Sequence, residues 1–113
     1  MGCQIGVTGN PDIELRYSRG ARAAWSLTDR WRVDSRDCDP DPRSPTGYGE
    51  QNQIDTAAMA ALDADAPRDL DGFRSYCLTH AYMGDELDDD DLRQIREFIE
   101  QAAKAGKRVW LSY

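Results

Sequence analysis

Toward the end of the chain the apolar residues fall at a helical spacing. Leu92, Ile95, Ile99, Ala102 and Ala103 recur at i, i+3, i+7, i+10 and i+11, and Phe98 widens the face they share, the stripe an amphipathic helix buries. Asp88, Asp89, Asp90 and Asp91 stand just ahead of it, where carboxylates cap free backbone N–H groups and face the positive end of the helix dipole. Gly106 supplies a left-handed stop, with Lys104 and Lys107 near the negative pole. Arg93–Glu97, Arg96–Glu100 and Glu100–Lys104 are expected as exposed i,i+4 pairs of about 0.3 kcal/mol each. Val109, Leu111 and Tyr113 then alternate with Trp110 and Ser112. The pattern predicts a helix over 88–105 and a strand over 108–113.

At the other end, Cys3 to Thr8 leans apolar, and Gly9-Asn10 is a hairpin signal. Ile13, Leu15 and Tyr17 alternate with Asp12, Glu14 and Arg16, a second strand, and Gly20 marks a turn. From Ala21 to Val33 the odd positions carry Ala21, Ala23, Trp25, Leu27, Trp31 and Val33, interrupted by Asp29. A helical face through Ala21, Ala24, Trp25 and Thr28 competes, but the alternation runs longer and predicts strand, with Asp29 either a bulge or a turn that splits the run into two strands. The first third therefore reads as an antiparallel meander.

Residues 34–50 hold three prolines, two glycines and four aspartates, which predicts an exposed loop. Asp55 or Thr56 caps a helix near 56–64 with Ile54, Ala58, Ala61 and Leu62 inside, closed by Pro67. Phe73 to Tyr82 is rich in aromatic and small residues, which predicts a central strand apolar on both faces. With the long helix and the last strand it would form a βαβ crossover, its two strands parallel in a mixed sheet. The expectation is α+β, one domain over residues 1–113, with two helices.

Composition narrows this only a little. A chain of 113 residues supports one modest core. No apolar run is long enough to cross a membrane, and no charged-then-apolar leader precedes the first strand. Gly6 stands where a myristoylation signal wants Ser or Thr. Three widely spaced cysteines make no disulfide framework, which points to a reducing cytoplasm.

Charge changes the picture more. The net charge is −7, but residues 37–91 hold fifteen acids against three arginines, a balance of −12, between flanks of +2 and +3. Such a chain repels free nucleic acid and anionic membranes, and its expected partners are basic. The densest block is Asp85, Glu86, Asp88, Asp89, Asp90 and Asp91. A helix start explains one or two of these acids, not six. With Asp63, Asp65, Asp69 and Asp71 they form the candidate partner-binding face.

Candidate chemistry is thin. Cys77-x-x-His80 suggests metal or thiol chemistry, but on a strand residues three apart point to opposite faces. Cys3, Cys38, Cys77 and His80 have no zinc-finger spacing. Asp37-x-Asp39-x-Asp41 imitates the opening of a calcium loop, then fails at Pro42 and Tyr48. Gly6 to Asn10 has the outline of a phosphate-cradling turn without its lysine and hydroxyl residue. No metal, cofactor or catalytic residue is expected. The tryptophans and tyrosines are expected in the core or on sheet faces; exposed ones beside acids would be interface anchors.

Two readings follow. One is a small acidic, non-enzymatic binding protein or inhibitor whose closely spaced carboxylates stand in for phosphates on a basic, nucleic-acid-binding protein. Phage and mobile-element proteins that block host defence complexes share that general profile of size and charge. The other is a small α/β enzyme or nucleotide-binding domain using the Gly6–Asn10 turn or the C-terminal strand ends.

Overall fold

The structure, a computed structural model, describes residues 4–31, 53–54 and 56–112. Its elements are β1 (Gln4–Val7), β2 (Asn10–Leu15), α1 (Ser18–Leu27), β3 (Gln53–Ile54), α2 (Thr56–Asp65), α3 (Leu70–His80), α4 (Asp89–Ala105) and β4 (Val109–Ser112). The α+β class expected from the sequence is what these elements form. The loop expected over 34–50 and the capping role of Asp55 fall outside the described residues.

Gly9, at φ +78°, lets β1 turn back onto β2. The sheet is antiparallel throughout, in the order β2-β1-β4-β3, with β3 adding two residues at one edge. Ile5 stands opposite Leu111 and Leu15, and Val7 opposite Val109. These five side chains and Ile54 are buried together. On the other face Gly6 pairs with Trp110. A Cβ at Gly6 would lie 2.5 Å from an indole carbon of Trp110, so the ring lies across the glycine. Gly6→Ala is expected to cost about 1–3 kcal/mol by overpacking. In Trp110→Ala the same change should cost much less, because the clash is gone. Denaturant melts of the two single variants and the double variant check this.

The long helix follows its sequence signals closely. Asp88 accepts from the Asp91 N–H at 2.8 Å and the Asp91 carboxylate accepts from the Asp88 N–H at 3.1 Å, a reciprocal capping box. Gly106 closes the helix at φ +63°. Leu92, Ile95, Phe98, Ile99 and Ala102 are buried, and α4 packs on α2, α1 and β2. One of its three expected surface pairs forms, Glu100–Lys104 at 3.3 Å. Arg93 instead meets Asp90 at 3.6 Å, and Arg96 turns inward.

Two expectations are overturned. Residues 18–27 are helical, so among the described residues no N-terminal meander extends beyond the β1–β2 hairpin; positions 32–33 of the expected strands lie outside the described residues. Gly20, Ala21, Ala24, Leu27 and Thr28 are buried, a stripe with helical period. The longer alternation of apolar residues did not decide the matter, because small alanines serve a helix face as well. Residues 70–80 are also helical, not a central strand. Asp69 caps this helix by accepting from the Gly72 N–H at 2.8 Å, and Phe73 and Cys77 are its buried i,i+4 pair. The βαβ crossover, the parallel pair and the mixed sheet go with that strand. Among the described residues there are four α-helices where two were expected.

Candidate functional site

The acidic candidates divide by what the fold asks of them. Asp63, on α2, is paired with Arg96 at 2.9 Å and Arg68 at 3.3 Å, and its side chain is only 19% exposed. Asp91 is buried, holds Arg19 at 3.0 Å and completes the capping box. Asp69 and Asp88 are helix caps. Asp65 belongs to a separate cluster: it accepts from Arg30 and from the Tyr76 hydroxyl, each at 2.8 Å. Both bonds, the tyrosine's first, hold its carboxyl below the usual range.

Asp71 and Asp89 lie on different helices but meet one guanidinium, that of Arg74. The sequence suggested that the α3 and α4 acids are neighbours, and here two of them are. Asp90 is well exposed, touching only Arg93 among the described residues. Asp85 and Glu86 lie in the single 3₁₀ turn between α3 and α4, exposed and without a basic partner among the described residues. Asp65, Asp69 and Asp88 are exposed as well; with that bonded carboxylate and the two caps set aside, the outward-facing acids are those at 71, 85, 86, 89 and 90, around the start of α4.

Beside them are Leu78 and Met83, which sequence reasoning did not single out, and Tyr82, one of the tyrosines expected to anchor an interface if exposed. Leu78, Tyr82 and Met83 are 56, 55 and 44% exposed. Tyr82 and Met83 line a cavity of about 190 Å³ with Arg19, Arg22 and Glu86. The aromatic content of Phe73–Tyr82 was visible in the sequence, but on a strand apolar on both faces these residues would have been inside.

The features that suggested chemistry do not converge. Cys77 is fully buried while His80 is exposed and its ring meets that of Tyr76 at a tilt of 57°, ring centres 4.8 Å apart. The two sit three residues apart on a helix, not a strand, and still do not share a site. Burial pushes the Cys77 thiol from its ordinary 9.0 up to about 12. Cys77 should therefore resist iodoacetamide at pH 8 in the folded protein and react on unfolding, as peptide mapping would show. Since only the unfolded thiol ionises between those values, its contribution to stability is intact below pH 9.0 and declines as the pH rises toward about 12. Cys77→Ala should flatten that part of the pH–stability curve.

Among the described residues no group of three His, Cys, Asp or Glu side chains is placed to hold a metal ion; Cys3, Cys38 and the 37–41 aspartates lie outside them. A groove of about 330 Å³ runs between α3 and α4 over Leu70, Phe73 and Leu92, rimmed by Arg68, Arg93 and Arg96. Its guanidiniums are already engaged with Asp63, Glu100 and Asp90. The Tyr17 hydroxyl is buried without a hydrogen bond of good geometry; burial first and the Asp91 charge second hold its proton tightly.

No helix among the described residues is long and apolar enough to cross a membrane. No protein-family model matches the chain, and no curated protein or solved structure matches it either.

Proposed function

We propose that this protein is a small acidic, non-enzymatic binding protein or inhibitor that engages a basic, nucleic-acid-binding protein partner through the surface at the start of α4. The observation that supports the reading is the placement of Asp85, Glu86, Asp89 and Asp90, which with the cap Asp88 make five exposed acids within six residues; Asp85 and Glu86 have no basic partner among the described residues. Exposed carboxylates at this density can occupy Lys and Arg groups that otherwise hold phosphates. Asp71 extends the patch through Arg74. Asp63 and Asp91 are left out of it, because their carboxylates are used inside the fold. The free thiol of Cys77 fits a reducing cytoplasm, the proposed location.

The test isolates the basic partner from a lysate at low salt, then measures its binding to wild type and to a variant carrying Asp85→Asn, Glu86→Gln, Asp89→Asn and Asp90→Asn. The caps at Asp88 and Asp91 are kept so that the helix start survives. Loss of long-range attraction should slow association by about tenfold or more while dissociation changes less. The wild-type association rate should also fall steeply between low and physiological salt. An association rate and a salt slope that are the same in the variant would reduce the patch to a solubilising helix start.

A further inference from the structure

Among the described residues, the large hydrophobic side chains left exposed all fall in one short stretch, Leu78, Tyr82 and Met83. They do not belong to a loose loop. Gly84 is buried, and a Cβ on it would lie 2.1 Å from the Cys77 carbonyl oxygen and 3.2 Å from the Leu78 Cα. The turn is thus folded flat against the end of α3, with Gly84 close to the Leu78 backbone. The Tyr82 N–H donates to the Ser26 hydroxyl of α1 at 2.8 Å, fixing the other side. A patch held this way loses little freedom when something docks on it.

Met83 carries the next clue. Its backbone is left-handed, φ 54° and ψ 39°, a conformation that costs a residue with a side chain about 1–2 kcal/mol and glycine almost nothing. A methionine there that is 44% exposed gains little burial in return. Local strain kept at an exposed, apolar position points outward, to something the side chain meets.

The cavity beside it defines what that is. At about 190 Å³ it is smaller than the roughly 300 Å³ at which small-molecule pockets begin. It has room for one side chain of another protein. Arg19, Arg22 and Glu86 line it together, Arg19 already paired with Asp91 at 3.0 Å; with two guanidiniums in the lining, an apolar side chain is admitted more readily than a lysine. Glu86 in the same lining and Asp85, its neighbour in the chain, have no basic partner among the described residues, and they attract a base beside the seated side chain. The patch is made of helix ends and a turn and contains no strand edge, so strand addition is not available to a partner. An apolar residue with a base nearby is the pattern one helix presents along adjoining faces.

From these observations we infer that Leu78, Tyr82 and Met83 anchor a basic amphipathic helix of the partner, which seats one apolar side chain in the cavity and a Lys or Arg over Asp85 and Glu86. This rests on the reading of the protein as a binder of basic proteins and adds to it that the contact is hydrophobic at its centre. Charge then selects and steers, and the apolar anchor sets the residence time.

Two synthetic helical peptides of equal length and equal positive charge test this. Both carry Lys on one face; the other face is Leu in the first and Ser in the second. Backbone amide shifts of the protein are followed during titration. The Leu peptide should bind at least about tenfold more tightly than the Ser peptide, with shifts centred on residues 78–86 and on Arg22. Tyr82→Ser combined with Met83→Gly should remove that advantage; the left-handed backbone accepts glycine, and an unchanged spectrum elsewhere confirms the fold. Two peptides that bind alike, weakened only by Asp85→Asn and Glu86→Gln, would overturn the apolar anchor and leave the acidic reading standing. Leu-peptide binding that ignores both salt and those amide variants would overturn the basic partner while the anchor stands. A concentration-dependent dimer in sedimentation, abolished by Tyr82→Ser with Met83→Gly, would make a second copy of this chain the occupant and overturn the inference.

Discussion

Arg96→Ala is expected to destabilise the protein by about 2–4 kcal/mol, because it strips the Pro67 and Asp63 carbonyls of their donor and leaves the half-buried Asp63 carboxylate with Arg68 alone. Arg96 is only 8% exposed. Its Nε donates to the Pro67 carbonyl at 3.1 Å, and its two terminal nitrogens donate to the Asp63 carboxylate at 2.9 Å and the Asp63 carbonyl at 3.2 Å. One guanidinium thus satisfies the open end of α2 and the break at Pro67, and ties both to the middle of α4. Asp63→Ala should cost somewhat less, because the arginine keeps its two carbonyl acceptors. Arg93, one turn earlier and exposed, should cost less than about 0.5 kcal/mol when replaced by Ala. Urea melts of the three variants check the order. A result in which Arg93→Ala costs as much as Arg96→Ala would refute the assignment of Arg96 to the interior.

Ile99→Ala is expected to cost about 2–4 kcal/mol, from lost burial and from the cavity left behind. Ile99 is fully buried, on the helix that packs against α1, α2 and β2. Three elements would have to move inward together to fill the space, so relaxation is limited and the cost stands toward the upper part of that range. Ile95→Ala should behave alike, and Ile99→Val should cost about 1 kcal/mol. The same melts decide it: a loss below 1 kcal/mol for Ile99→Ala would mean that this face of α4 is loosely packed.

The helix carrying both residues was legible because its signals are local and redundant. Acids at its start, a wide apolar stripe and Gly106 at its end agree with one another, and the structure places the boundaries at Asp89 and Ala105. In α1 the signals conflict. Its buried stripe includes Gly20 and Thr28, which no count of apolar residues includes, and without them alternation looks as good as a helical period. In α3 the aromatic residues suggested a strand, although Asp69 followed by Leu70, Phe73 and Cys77 at helical spacing was the better signal. The candidate site suffered from this second error directly. Whether Leu78 and Tyr82 face inward or outward depends on the type of element that carries them. Partners distant in the chain were illegible for a simpler reason: nothing at Asp63 announces Arg96, thirty-three residues on. The block at 85–91 was visible as charge, but not as a mixture of caps, an internal ion pair and free carboxylates.

The placement of β1 has a consequence for the order in which the protein assembles. β1 lies between β2 and β4, so its two neighbours come from opposite ends of the described chain. The hairpin with β2 is a local event, closed within a few residues, and can form and dissolve in microseconds. Pairing with β4 needs a loop that encloses nearly every other element, and that closure costs entropy before any contact repays it. Ile5 and Val7 therefore stay unshielded on one side until the final strand arrives. Helices α2, α3 and α4 can meanwhile gather around Arg96 and Phe73. Closure of β1 on β4 is then expected to be the slow step, and Val109→Ala should lower the folding rate more than it raises the unfolding rate in a stopped-flow chevron.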